Sequence, residues 1–246
     1  MKNILVLGMF CLIMAGTKLV FSAEEKQMVG YWKCDEGEGE IVKDSSGKGN
    51  DGKIQRYGEY AKWVEGRAGK ALEFSNAGTG DGNGRDSGCV TIPAMGKYDF
   101  SKGLTVEAWV KLNKNEKSRT YEIVTNTVED RGPGFRFRIS YTGLELRSGE
   151  GGEGEPRGVA SYNPSIKVQV WCHVAGTYDG SMYRIYLNGE QVGESKPGLS
   201  LTKGRDIVTI GAFQGGAAYG FEGIIGEVKI FNYARSPLEI LKDFVQ

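Results

Sequence analysis

The residues best suited to chemistry lie in the stretch Asp44-Ser45-Ser46-Gly47-Lys48-Gly49-Asn50-Asp51-Gly52. Asp44 and Asn50 offer side-chain oxygens, while Ser45, Ser46, Gly47 and Gly49 let the backbone curl so that carbonyls can complete the shell of a hard cation. Calcium is the ion this suits. The same residues also read as an Asx turn, in which the Asp44 carboxylate accepts the loop's own N–H groups. Asp81-Gly82-Asn83-Gly84-Arg85-Asp86 has the outline of a second calcium loop, but Arg85 occupies a ligand position and Ile92 stands where a bidentate glutamate belongs.

Other reactive side chains are scattered. Glu36, Glu38 and Glu40 alternate with glycines and read as a solvated turn. His173 is the only histidine, on a strand face with Trp171 and Ala175, where a structural role is favoured over that of a general base. Cys172 beside it points to the opposite face, which disfavours a Cys-His dyad. A sugar-binding surface needs aromatic rings with polar partners for hydroxyls. Tyr57, Tyr60 and Trp63 crowd one connection, and Phe213, Gln214, Tyr219 and Phe221 surround the glycine-rich segment 211–223. Arg136 and Arg138 add charge on the non-core side of their strand. Trp63, Tyr60, Arg136, Arg138, Phe213, Gln214 and Tyr219 are thus the candidate ligand contacts, although each ring also reads as a cap on the core. Trp32, Trp109 and Trp171 belong to strand motifs and read as supports, leaving Trp63 as the tryptophan expected to meet a ligand.

A β scaffold must position these groups. Glycine accounts for 38 of 246 residues, about twice the usual ~7%, so the chain turns often. Leu104, Val106, Ala108, Val110 and Leu112 alternate with Thr105, Glu107, Trp109 and Lys111, the signature of a strand with one face on a core. Phe135, Phe137, Ile139 and Tyr141 repeat the pattern around Arg136, Arg138 and Ser140. Between Val170 and Ser195, Asp179-Gly180 and Asn188-Gly189 separate apolar runs and predict a three-stranded meander. The spacing predicts roughly twelve to fourteen short strands, the pattern of a sandwich or barrel. Ser236-Pro237-Leu238-Glu239 supplies an N-cap, a proline at N1 and a glutamate at N3, so a helix is expected over about 236–244. Segments 77–88 and 148–158 read as loops.

Charge and processing signals bound the class. Thirty-one Lys and Arg balance thirty-one Asp and Glu with no long basic stripe, which argues against nucleic acid as a partner. Lys2, the apolar run 4–16 and Val20-Phe21-Ser22-Ala23 make a signal peptide over 1–23. Residues 24–246 are then one exported domain, whether secreted, periplasmic or at the cell surface. Removing Lys2 and Lys18 leaves 29 basic against 31 acidic residues, and no later apolar run approaches membrane length. Cys34, Cys89 and Cys172 remain, as buried thiols or with a single disulfide among them. One histidine and no C-x-x-C argue against a zinc site.

Four stretches together resemble the laminin-G-like jelly rolls of the concanavalin A-like lectin and glucanase superfamily: Gly30-Tyr31-Trp32-Lys33-Cys34-Asp35-Glu36-Gly37, the Asp44 loop, Leu104-Thr105-Val106-Glu107-Ala108-Trp109-Val110, and the run from Trp171 through Asp179-Gly180 to Asn188-Gly189. The resemblance implies an all-β fold, a two-sheet antiparallel β-sandwich with the short C-terminal helix added. It also implies that the Asp44 loop packs near the last strand, which nominates Glu227 beside Asp44, Gly49 and Asn50 as a calcium ligand. Gly226 stands where the family usually has aspartate, so one neighbouring carboxylate is missing. Hydrolytic members carry Glu-x-Asp-x-x-Glu on one strand, and no Glu-x-Asp occurs in this chain. The expectation is a non-catalytic module recognising carbohydrate or a cell-surface glycoconjugate. A protein-interaction or structural module is second, and a polysaccharide hydrolase or lyase third, with Glu107 and Glu227 as its suspect pair.

Overall fold

The computed structural model describes residues 25–77, 86–115, 119–127, 132–140, 143–148, 159–162, 166–197 and 200–246. The expected signal peptide and most of the loops 77–88 and 148–158, including Asp81 to Arg85, lie outside the described residues.

The described strands are β1 (Met28–Trp32), β2 (Ile41–Val42), β3 (Gly52–Gln55), β4 (Ala61–Glu65), β5 (Lys70–Phe74), β6 (Cys89–Ile92), β7 (Leu104–Leu112), β8 (Thr120–Thr125), β9 (Phe135–Ser140), β10 (Gly143–Ser148), β11 (Val159–Tyr162), β12 (Cys172–Tyr178), β13 (Tyr183–Leu187), β14 (Glu190–Glu194), β15 (Val208–Ile210) and β16 (Gly223–Phe231), followed by helix α1 (Pro237–Val245). They form two antiparallel sheets. The first runs β14-β13-β12-β7-β16-β5-β4, with β1 also paired to β16; the second runs β11-β10-β9-β8-β15-β6-β3-β2. The meander is present as expected, with its turns at Asp179-Gly180 and Asn188-Gly189. Asn188 and Gly189 have φ of 51° and 82°, which that turn requires.

Period-two alternation does what it should. Leu104, Val106, Val110 and Val174 of the first sheet meet Phe135, Phe137, Ile139 and Leu146 of the second in one core, the arrangement of a stacked sandwich. A Cβ on Gly176 would stand 3.0 Å from the Leu146 side chain, so glycine lets the sheets approach there. β16 changes partner midway. Its first half pairs with β5 and its second half with β1, and the register slips between Gly226 and Lys229, with Glu227 at φ 50°. That bulge re-aims a side chain on the outer face.

Helix α1 starts as the sequence predicts. Ser236 accepts from the Glu239 N–H, and the Glu239 carboxylate accepts from the Ser236 N–H at 2.7 Å. It lies across the outer face of the first sheet. Ile240 packs with Ala175 and Tyr186, and Phe244 stacks on Trp109 at 5.9 Å.

Candidate functional site

The Asp44 loop resolves into hydrogen bonds. Asp44 Oδ1 accepts the N–H of Tyr31 at 3.0 Å and of Ser46 at 2.9 Å, and Oδ2 accepts that of Asn50 at 2.9 Å. Burial opposes its charge, but these bonds outweigh it and hold the carboxyl below its usual range. Asn50 Oδ1 accepts from Lys97, and its amide nitrogen donates to the Val29 carbonyl and the Tyr98 hydroxyl. Glu227 is held apart by the Tyr31 hydroxyl, which donates to it at 3.0 Å. This is the Asx-turn alternative. Among the described residues no three His, Cys, Asp or Glu side chains are grouped to hold a metal ion.

The expected ligand contacts fall in two places. On the outer face of the second sheet, the Arg136 guanidinium lies 4.6 Å from the Phe213 ring centre and 4.9 Å from that of Tyr219. Its Nε donates to Glu122 at 2.7 Å, and both partners are fully buried. Arg138 pairs with Glu145 at 3.0 Å, and Gln214 is exposed on the loop above. The two arginines therefore hold the 211–223 segment and its neighbouring strands together instead of standing free as surface charge. Tyr60 and Trp63 lie on the other sheet, at the β4 edge. Trp63 packs against the core, and its Nε1 donates to the Gly39 carbonyl at 2.9 Å. The ring is thus partly buried on the sandwich and partly exposed at the β4 edge.

A shallow open cleft of about 70 Å³ lies on the outer face of the first sheet. Its floor is Ala71, Gly226 and Trp109, side by side on β5, β16 and β7, where two small residues leave a depression. Trp171, just before β12, forms a half-buried wall with the Lys111 ammonium 5.7 Å from its ring centre. Arg67, on the β4–β5 turn, lies 3.9 Å over the Trp109 ring and 3.5 Å from Glu227. Lys33 and Asp35 close the far side. Aromatic surface beside charged donors and acceptors is what a polar ring-shaped ligand needs. Sequence reasoning named Glu227 for calcium and missed Lys33, Asp35, Arg67 and Trp171. The available signal was Trp109, a tryptophan on the polar face of an amphipathic strand.

Beneath α1, the suspect carboxylate Glu107 is buried and bound by Arg235 at 2.6 Å, with His173 Nε2 at 3.4 Å. Arg235 also bridges to Asp243, which Lys229 reaches at 3.0 Å. The His173 ring contacts both Trp109 and Phe244. Glu107 and Glu227 are each engaged by an arginine, the first under a helix and the second at the cleft.

Structural likeness extends over nearly all of the chain. Domain 4 of AbnA, a GH43 extracellular arabinanase from Geobacillus stearothermophilus solved with arabinotriose, matches at TM-score 0.64 and 19% identity over 91% of this chain and all of that one. The binding domain of botulinum neurotoxin serotype G matches at 0.66 and 14%, over 89% of this chain and 51% of that one. The binding domain of botulinum neurotoxin DC, solved with SialylT, matches at 0.66 and 15% over the same shares. The chain thus spans about half the length of these toxin domains. No curated protein matches it. The family model of laminin G type matches residues 82–241, a span running from before β6 into α1, and the chain belongs to the concanavalin A-like lectin/glucanases superfamily.

Proposed function

We propose that the domain is an exported, non-catalytic carbohydrate-binding module whose ligand stacks on Trp171 in the cleft of the first sheet. The observation that carries this reading is the cleft itself, an open depression joining an accessible indole face to Lys33, Asp35 and Arg67. Sugar rings present apolar C–H faces and a rim of hydroxyls, which match a tryptophan flanked by charged hydrogen-bonding groups. The relatives support it by analogy: one neighbour was solved with arabinotriose, another with SialylT. The non-catalytic part rests on the carboxylates. Glycoside cleavage uses an acid and a base or nucleophile facing one bond, whereas Glu107 is sealed beneath α1 with Arg235.

A glycan array run on the mature protein tests the reading, with Trp171→Ala and Gly226→Leu as variants. A Cβ at Gly226 meets only Ala71, at 3.6 Å, so leucine fits the backbone and fills the floor. Both variants should lose binding while melting like the wild type. Signals that survive in both place the ligand elsewhere, and released oligosaccharide in a reducing-sugar assay overturns the non-catalytic reading.

A further inference from the structure

We infer that the saccharide taken by this cleft is acidic, with a carboxylate or sulfate group held by Arg67 and Lys33 while a sugar ring rests on Trp171. The inference builds on the carbohydrate reading above and specifies its ligand.

The charges around the cleft are unequally engaged. Glu227 already accepts from the Tyr31 hydroxyl and faces Arg67, and Lys70 is paired with Glu65. Lys33 and Lys111 form no ion pair among the described residues; each instead stands over an aromatic face, Tyr31 at 5.9 Å and Trp171 at 5.7 Å. Lys33, Arg67 and Lys70 line the cleft against the carboxylates Asp35 and Glu227, and Lys111 stands over Trp171 at its edge. In a chain whose formal charges balance overall, three lining cations against two carboxylates make a small local positive surplus beside the Trp171 ring.

Geometry favours an anion as well as charge does. The Arg67 guanidinium carbon lies 3.9 Å from the Trp109 ring centre, a cation–π contact that anchors this side chain at the cleft. Its contact with Glu227 is 3.5 Å, long for a charge-assisted bond, so a better-placed anion can replace or share it. Lys33 is tied to the same spot through the backbone, because its carbonyl accepts the Glu227 N–H at 3.3 Å. Glu227 keeps that position at φ 50°, a left-handed conformation that costs a non-glycine residue energy. A neutral sugar would have to strip water from Lys33 and Arg67 without replacing it by an opposite charge, which binding disfavours.

The test is an array of galacturonan, alginate and chondroitin sulfate oligosaccharides beside their carboxyl-reduced and desulfated forms, with neutral arabinan, xylan and galactan. Wild-type protein should bind acidic members at least tenfold more tightly than their neutralised forms, and less tightly as salt rises. Loss on desulfation identifies a sulfate ligand, and loss only on carboxyl reduction a carboxylate. On the best-bound glycan, Arg67→Gln and Lys33→Gln should each weaken binding about tenfold with unchanged melting. Equal binding of acidic and neutralised forms, still lost in Trp171→Ala, overturns this inference and leaves the carbohydrate reading standing. Binding of no glycan at all overturns both.

Discussion

Three backbone N–H groups converge on the Asp44 carboxylate, so truncating it orphans donors at the junction of β1 and the following loop. Asp44→Ala should cost about 2 kcal/mol, the range for losing charge-assisted hydrogen bonds in a partly buried site. Because the oxygens are taken by N–H groups, the loss should be the same in calcium and in chelator, as read by thermal melting. A calcium-dependent shift of the wild-type melt would restore the cation reading. The two tryptophans that the sequence left in opposite roles provide the second residue-scale test. Trp63→Ala should cost about 2 kcal/mol, below the ~3–5 of a fully buried tryptophan, since the ring is partly buried and gives up its bond to Gly39. It should leave glycan binding intact, whereas Trp171→Ala should do the reverse. A stable Trp63 variant that no longer binds would return the ligand to the β4 edge. Period-two patterning places each ring on a strand face but does not say whether that face is covered, which for Trp63 depends on the Gly39 turn.

Helix α1 is an element whose start was legible and whose purpose was not. The Ser236 and Glu239 box is local, so the sequence carries it within four residues. What the helix docks on is assembled from distant strands: Glu107 of β7, Lys229 of β16, and Ala175 and Tyr186 of the meander. Asp243 is central to that docking. Burial opposes its ionisation, but bonds from Arg235 and Lys229 outweigh burial and hold its carboxyl below the usual range. A depressed carboxyl stabilises the fold at pH values above its unfolded value, near 4, and that contribution disappears as pH falls through the lower folded value. The helix should therefore loosen below about pH 4. Trp109 fluorescence should report it, because Phe244 stacks on that ring. Asp243→Asn should remove this acid-dependent step; an unchanged acid transition in the variant would assign it to other carboxylates. Ser236→Ala should cost about 1 kcal/mol, the usual value of a lost N-cap.

Across the whole molecule, the sandwich was legible because its sheets need only alternation and turn chemistry, both written locally: Leu104 to Leu112 and Asn188-Gly189 suffice to show it. The cleft was not legible, because Lys33, Arg67, Trp109, Trp171 and Glu227 come from five separate segments and meet only once β16 changes partner at its bulge. The same distinction governs the cysteines, which spacing alone leaves open. Cys34 and Cys172 belong to the first sheet's part of the chain and Cys89 to the second sheet. All three are buried and unbonded. Burial raises each thiol, Cys89 to about 12 even though Arg56 pulls the other way, so almost no thiolate exists near neutrality to attack an oxidant. A chain of this length buries enough apolar surface to hold two sheets without a covalent staple. Native protein should therefore resist an aromatic disulfide reagent at pH 8 and release three thiols, at positions 34, 89 and 172, once unfolded in guanidinium. Its melting curve should be unchanged by reductant. Fewer than three thiols after unfolding, or a reductant-sensitive melt, would mean that a bridge between two of these cysteines contributes to the fold.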